Sequence, residues 1–196
     1  MAPSSASSSS SSWLDKVYLI YFAVHIPVML CVDLVPLYPA SLWQPATAPL
    51  RFLGDLRAYY LTTYADQFFV PPPAVVPAFF KFFTLLELVL HLPVSVWAVR
   101  KLSGSSSSSS SSSRLDGPGE LVLLVYGIET VLTTACCMYE AYFWDVAVIT
   151  SEQRVMLLTA LYGSYLAIAT CLAVDMYTRL LRRVSGPGNA TAKKLQ

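Results

Sequence analysis

The chain has 196 residues, of which 55% are hydrophobic and 13% are charged, and its formal net charge is +1. Soluble domains usually carry about 25% charged residues, so this composition indicates a membrane protein, and the balanced charge without a basic patch argues against nucleic-acid binding. The four cysteines lie in apolar segments, and no Cys/His spacing matches a disulfide framework or a metal site, so we expect reduced thiols, no metal and no cofactor.

The first predicted span covers about residues 17–34 and follows a serine-rich segment, residues 1–12, which we expect to be disordered because it has nothing to bury. No small-residue cleavage site follows the span, so we interpret it as retained in the protein rather than as a signal peptide. Pro27 should kink this helix. Asp33 is a candidate pocket residue, although an aspartate at a helix end can also be simply interfacial. Three side chains recur every four residues and should share one helix face: His25, Met29 and Asp33.

The connection from residue 35 to residue 76 contains too many prolines to span a membrane. Asp66, near its end, is predicted to cap or fix a loop rather than to contact a ligand. Before it, apolar side chains recur at helical spacing and predict an amphipathic helix that lies against the membrane face of the bundle: Leu50, Leu53, Leu56, Tyr60 and Tyr64.

The second predicted span, residues 79–99, is almost entirely apolar but carries Glu87 near its middle. At about 1.5 Å per residue it is long enough to cross a hydrocarbon layer of roughly 30 Å. An ionisable group at that depth costs at least about 2.5 kcal/mol, so it needs a partner or a function. His91 lies one turn further on the same face, and Pro93 leaves the carbonyl of Val89 without its helical donor. A protonated Glu87 that only joins two helices is the alternative.

The third predicted span, residues 121–143, follows a serine-rich linker at 103–116 that we expect to be a disordered loop. Glu129 and Thr133 are one turn apart and face the same way. With their neighbours they form a second polar stripe inside the membrane: Glu129, Thr130, Thr133, Thr134 and Cys137.

The fourth predicted span covers about residues 155–177, and Thr150 with Gln153 predicts a capping box just before it. Tyr162 and Tyr165 lie on adjoining sides of this helix, where either ordinary packing or a place in a pocket is possible. Asp175 and Arg179 should pair at its end. Small side chains along the span predict close helix packing: Ala160, Gly163, Ser164, Ala167 and Ala169.

Four spans place both termini on one side of the membrane. Nine Lys and Arg residues would share that side and four would lie opposite, so the positive-inside rule predicts cytosolic termini and a lumenal connection between spans 1 and 2. The tail, residues 183–196, ends with Lys193 and Lys194, which resemble a di-lysine retrieval signal of the endoplasmic reticulum.

Asp33, Glu87 and Glu129 come from three helices that a bundle could bring together. Two carboxylates in a low-dielectric cavity cannot both ionise cheaply and should share a proton. Such a site suits a cationic amine, or a sterol whose rings need an apolar slot and whose hydroxyl needs an acceptor. Proton transfer by an acid–base pair is the other possibility.

With these residues laid out, the chain resembles the EXPERA-domain family over residues 14–182. The matching pieces are LIYFAVHIPVMLCVDL in span 1, PPPAVVPAFFKFFTLLELVLHLP leading into span 2, and LYGSYL in span 4. The resemblance implies a receptor that binds sterols, oxysterols and cationic amphiphilic amines and acts in sterol homeostasis. It also implies residence in the endoplasmic reticulum, a homodimer and a sterol-transport membrane protein as partner.

The resemblance also assigns residues. Asp33 and Glu87 match the two pocket carboxylates of the family, with Asp33 facing the ligand amine, and Asp66 matches a structural aspartate. Further matches lie in or near the pocket: His25, Thr133, Tyr162 and Tyr165.

A sterol isomerase belongs to the same superfamily, and Glu129-Thr130 resembles its glutamate motif. Phe83, however, stands where that enzyme has a histidine one turn before the second-span glutamate. We therefore expect a binding protein without catalytic residues, with a sterol Δ8–Δ7 isomerase as the alternative; an orphan structural bundle stays possible.

Overall fold

The structure, a computed structural model, describes residues 7–70, 75–104 and 115–185. This part of the chain contains no strand, and four of its helical stretches are long and apolar enough to cross a membrane. The predicted all-α, four-span class is therefore confirmed. All four spans begin before their predicted starts, and spans 2 and 4 also end later than predicted: Trp13–Asp33, Ala78–Ser103, Gly117–Tyr142 and Ser151–Val184.

Three of the four spans change from α- to π-helical geometry partway along. Helix α1 (Ser7–Val28) continues through Pro27 into a π-turn at Met29–Asp33, where the Leu34 amide donates to the Met29 carbonyl at 2.9 Å. The other two spans do the same: α3 (Ala78–Leu86), a π-turn at Glu87–His91 and α4 (Leu92–Ser103); and α6 (Ser151–Met156), a π-turn at Leu157–Tyr162 and α7 (Gly163–Val184). Span 3 is the uninterrupted helix α5 (Gly117–Tyr142).

The π-turn of span 2 follows from Pro93. Proline has no amide hydrogen, so it cannot donate to the Val89 carbonyl, and the hydrogen-bond ladder is rearranged just before it. The Leu92 amide bonds to the Glu87 carbonyl, five residues back. In span 4 a glycine permits the same change: a Cβ at Gly163 would lie 2.8 Å from the Leu158 carbonyl oxygen.

The connection between spans 1 and 2 contains the predicted amphipathic helix, α2 (Arg51–Tyr64). It ends at Ala65, whose φ of 52° is left-handed and turns the chain back towards the bundle. Leu53 on its predicted apolar face is buried, whereas Leu56 is 37% exposed. The three prolines at residues 71–73 lie, with residue 74, outside the described range.

Spans 3 and 4 are in close contact at small residues. A Cβ on Gly127 would lie 3.1 Å from the Ala173 nitrogen and 3.2 Å from the Ala169 carbonyl oxygen, and Ala169 is fully buried. Small side chains that let two backbones approach are typical of helix contacts in membranes. The predicted close packing along span 4 is therefore present at Ala169, while Gly163 serves the π-turn.

Ion pairs join the spans at the end that carries the termini. Arg179 contacts Asp15 of span 1 and Asp175 of its own helix, each at 2.7 Å, so the predicted Asp175–Arg179 pair is confirmed. Arg183 pairs with the buried Glu120 at the start of span 3, at 2.5 Å. The predicted capping box of Thr150 and Gln153 is also present at the opposite end.

Several expected boundaries fall outside the described residues, among them most of the linker at 103–116, most of the tail at 183–196, and Lys193 and Lys194. At the other end α1 begins at Ser7, so residues 7–12, expected to be disordered, belong to a helix.

Candidate ligand-binding cavity

All four spans and α2 enclose a cavity of about 350 Å³, which is within the usual size of a small-molecule site. Its wall is mostly apolar. It brings together eight residues that the sequence put forward as ligand-binding candidates: His25, Asp33, Glu87, His91, Glu129, Thr133, Tyr162 and Tyr165.

Asp33 and Glu87 face this cavity from spans 1 and 2, and each belongs to a π-turn. A π-turn widens the helix by one residue and is frequent at functional sites because it redirects side chains. Within the described part of the chain, no side chain donates a hydrogen bond to either carboxyl group. The two acids therefore face the cavity with acceptor capacity that a ligand can use.

A second polar group lies on the same wall and joins spans 1, 2 and 3. His91 Nε2 is hydrogen-bonded to Glu129 Oε2, and the ring of His25 lies 6.0 Å from that of His91. His25 Nδ1 is in turn hydrogen-bonded to the Tyr165 hydroxyl at 3.2 Å and its ring stacks on Tyr21. The sequence identified these residues one by one, but it did not predict the contact between His91 and Glu129.

Asp66 lies behind the cavity rather than on its wall and is fully buried. Its Oδ2 accepts hydrogen bonds from the Tyr60 and Tyr162 hydroxyls, both at 2.8 Å, and its Oδ1 accepts from the Phe68 amide at 3.0 Å. These contacts tie the end of the connection between spans 1 and 2 to span 4. Asp66 thus positions two tyrosines that line the cavity.

The electrostatics of this end of the cavity include one cation, Arg57 of α2, which interacts with both Asp33 and Asp66. Burial lowers the pKa of Arg57, although the two acids act in the opposite direction. Burial raises the pKa of Asp66, whereas its three hydrogen bonds and the charge of Arg57 act to lower it. Burial, followed by the charge of Asp66, also raises the pKa of the Tyr60 hydroxyl.

The structure adds residues that sequence reasoning did not assign to the pocket. Tyr60 and Tyr64 were predicted only as the apolar face of α2, and their helical spacing was the available signal. Phe83, noted as the replacement of an enzyme histidine, lies on the wall itself. Met29, expected on one face with His25 and Asp33, is instead fully buried and does not line the cavity. The other lining residues that were not assigned are Val28, Val32, Phe69, Phe80, Thr84, Thr130, Thr134, Cys137 and Leu161.

Fold and cavity together define a multi-pass helical membrane protein with a ligand-sized site between its spans. The sequence model described as EXPERA (EXPanded EBP superfamily) matches residues 52–176, which is more than half of the chain. The chain therefore belongs to the EXPERA family.

Curated relatives extend the similarity over most of the chain. Efficient mitochondria targeting-associated protein 19 of Schizosaccharomyces pombe is 29% identical over 185 residues, covering 92% of this chain and 86% of that protein. Sigma intracellular receptor 2 of Xenopus tropicalis is 26% identical over 170 residues, with 83% and 87% covered. The protein of the same name from Saccharomyces cerevisiae is 31% identical over 125 residues, covering 63% of this chain and 69% of that protein.

Proposed function

We propose that this protein binds sterols, oxysterols and cationic amphiphilic amines in its intramembrane cavity and acts, without catalysis, in sterol homeostasis or trafficking. The observation that carries the proposal is the presence of Asp33 and Glu87 on one largely apolar wall. Apolar walls favour hydrocarbon rings, and two acids that cannot both ionise cheaply in one low-dielectric cavity would supply one carboxylate for an ammonium and one carboxyl for a hydroxyl. The similarity to sigma intracellular receptor 2 supports a receptor of this kind.

The same resemblance supports an endoplasmic-reticulum location with cytosolic termini, and a homodimer. We include these in the proposal, together with a sterol-transport membrane protein as partner. The charge distribution around the spans and Lys193-Lys194 support the location independently of the family.

A sterol Δ8–Δ7 isomerase is the second candidate, and the His91–Glu129 contact is the observation that favours it. A histidine held by a carboxylate can move a proton at a double bond. Phe83 argues against it, because the cavity wall has an inert ring where the enzyme has a histidine. Expression in cells that lack the isomerase separates the two candidates: we expect no rescue, and rescue at ordinary expression would favour the enzyme.

The relatives named for mitochondria targeting suggest a third role, support of protein targeting to mitochondria. The S. pombe relative covers nearly the whole chain, which is the observation behind it. The test is complementation of a yeast strain that lacks its efficient mitochondria targeting-associated protein 19, with the wild-type chain and with the Asp33→Asn variant. Rescue by both would indicate a targeting role that does not depend on the cavity.

Photo-crosslinking tests the binding proposal directly. A sterol carrying a photoreactive group is irradiated with the purified protein, and the labelled peptides are mapped. We expect labelling of the cavity wall that an excess of unlabelled sterol or amine prevents. Labelling that is confined to the lipid-facing surface, or that no competitor reduces, would overturn the proposal.

A further inference from the structure

We infer that the cavity contains a second ligand-recognition site, formed by His25, His91 and Glu129, which takes a hydroxyl group of the ligand. We call these three residues the histidine subsite. The inference rests on the proposed ligand-binding function and deepens it, because it specifies a ligand with two polar groups rather than one.

The histidine subsite presents buried polar atoms that lack partners. His25 and His91 are 4% and 5% exposed. Among the described residues, no hydrogen-bond partner lies next to His25 Nε2, His91 Nδ1 or Glu129 Oε1. Leaving one such atom unsatisfied costs about 1–3 kcal/mol, so three such atoms on residues that line one cavity favour a ligand with a polar group there.

The chemistry of these atoms matches a hydroxyl. Glu129 accepts from His91 Nε2, so the proton of a neutral His91 ring is on that nitrogen and Nδ1 is an acceptor. The remaining Glu129 oxygen is an acceptor as well. His25 Nε2 donates when the Tyr165 hydroxyl donates to Nδ1, and accepts in the other tautomer. A hydroxyl both donates and accepts, so it can hydrogen-bond to His25 Nε2 in either tautomer. A hydrocarbon group can do so in neither.

The location of the subsite sets the shape of the ligand. His25 precedes Asp33 by eight residues on span 1, which is roughly 12 Å along a helix at 1.5 Å per residue. Both residues line the same cavity. A ligand whose first polar group meets Asp33 can therefore present a second hydroxyl to the histidine subsite if the two groups are roughly 12 Å apart. This specifies a rigid amphiphile with two polar groups, such as a sterol with a second hydroxyl.

The test measures the affinity of the purified full-length protein for two sterols that differ only in that second hydroxyl. Wild type should prefer the dihydroxylated sterol by about tenfold, the effect of one hydrogen bond to buried groups. His25→Phe keeps an aromatic ring but removes Nε2, and the preference should fall below about twofold. Tyr165→Phe is the matched control, because it removes the hydroxyl that contacts His25 Nδ1 but leaves Nε2 in place. It should keep most of the preference.

Glu129→Gln provides a second variant if His25→Phe fails to fold. Its amide oxygen can still accept from His91 Nε2, while its amide nitrogen replaces the free acceptor atom, Oε1. Cationic amine binding, measured on all variants, shows whether the cavity is still intact. Equal affinity of wild type for the two sterols would overturn the subsite but not the proposed function, and so would an equal loss in His25→Phe and Tyr165→Phe. Failure of wild type to bind either sterol or the amine would overturn both.

Discussion

The Tyr162 hydroxyl donates a hydrogen bond to Asp66 Oδ2 at 2.8 Å, and so fastens span 4 to the connection that covers one end of the cavity. The same oxygen accepts from Tyr60 of α2. Both tyrosines line the cavity while the acid lies behind them. One buried carboxyl group therefore fixes two wall residues from separate parts of the chain.

Removing this carboxyl group should cost much more than removing one of its donors. Tyr162→Phe loses one hydrogen bond, and we expect a destabilisation of about 1 kcal/mol. Asp66→Ala leaves two hydroxyls and the Phe68 amide without their acceptor, and should cost roughly 3 kcal/mol or more. Tyr177→Phe, at a 53% exposed tyrosine of the same span, is the control and should be neutral. Thermal unfolding in detergent measures all three; equal shifts for Asp66→Ala and Tyr177→Phe would contradict this account.

The π-turn of span 4 should depend on the absence of a side chain at Gly163. A Cβ there would lie 2.8 Å from a backbone oxygen that cannot move without changing the turn, so Gly163→Ala should destabilise the protein by about 1–3 kcal/mol. It should also weaken ligand binding, because Tyr162 ends that turn. Gly104→Ala is the matched control, since its Cβ would make only ordinary contacts at 3.6 Å. A fully stable Gly163→Ala protein would show that the turn does not need glycine.

Among the arginines near the end of span 4, Arg179 should be the one whose substitution destabilises the protein most. It is 8% exposed and contacts two acids, and breaking a buried pair commonly costs about 3–5 kcal/mol because a charge is left uncompensated. We expect Arg179→Gln to lower the unfolding temperature strongly. Arg182→Gln changes an exposed arginine three residues on and should have little effect. Similar unfolding temperatures for the two variants would remove the structural role assigned to Arg179.

Helical periodicity predicted two of the polar side chains of span 2 that line the cavity. Glu87 and His91 were placed on one face by their spacing, and both line the cavity. The π-turns were not predicted, because they depend on which backbone donors are available and not on apolar spacing. Met29, the first residue of the turn at residues 29–33, is fully buried instead.

Contacts between spans could not be predicted from a single sequence. The polar stripe that contains Glu129 could be read from span 3 alone, but its partner His91 comes from another helix and no local pattern relates the two. The same holds for Asp66. Its role in fixing a loop follows from the turn residues around it, whereas its bond to Tyr162 spans 96 positions of sequence.

The topology can be tested at the sequon Asn189-Ala190-Thr191, which lies outside the described residues. A cytosolic tail is not accessible to the glycosylation machinery, so we expect no glycan at Asn189. The measurement is the electrophoretic mobility of the protein from cells, with and without a glycosidase, next to the Asn189→Gln variant. A glycosidase-sensitive shift that is absent from the variant would place the tail in the lumen and would also refute the retrieval signal.

The last prediction concerns Glu87. Glu87→Gln keeps the shape of the side chain but removes the ionisable group, so it should weaken binding of a cationic amine by more than about 1.4 kcal/mol, a factor of ten. Asp33→Asn should weaken it as much or more, because that carboxylate is expected to meet the ammonium. The two losses should not add, since one ammonium cannot form two independent ion pairs with coupled acids. Sterol binding should suffer less, because an amide still accepts from a hydroxyl. Equilibrium binding to wild type, both single variants and the double variant measures this, with thermal unfolding as the folding check and the exposed Glu152→Gln as the control. If folded Glu87→Gln binds the amine as wild type does, Glu87 only joins two helices.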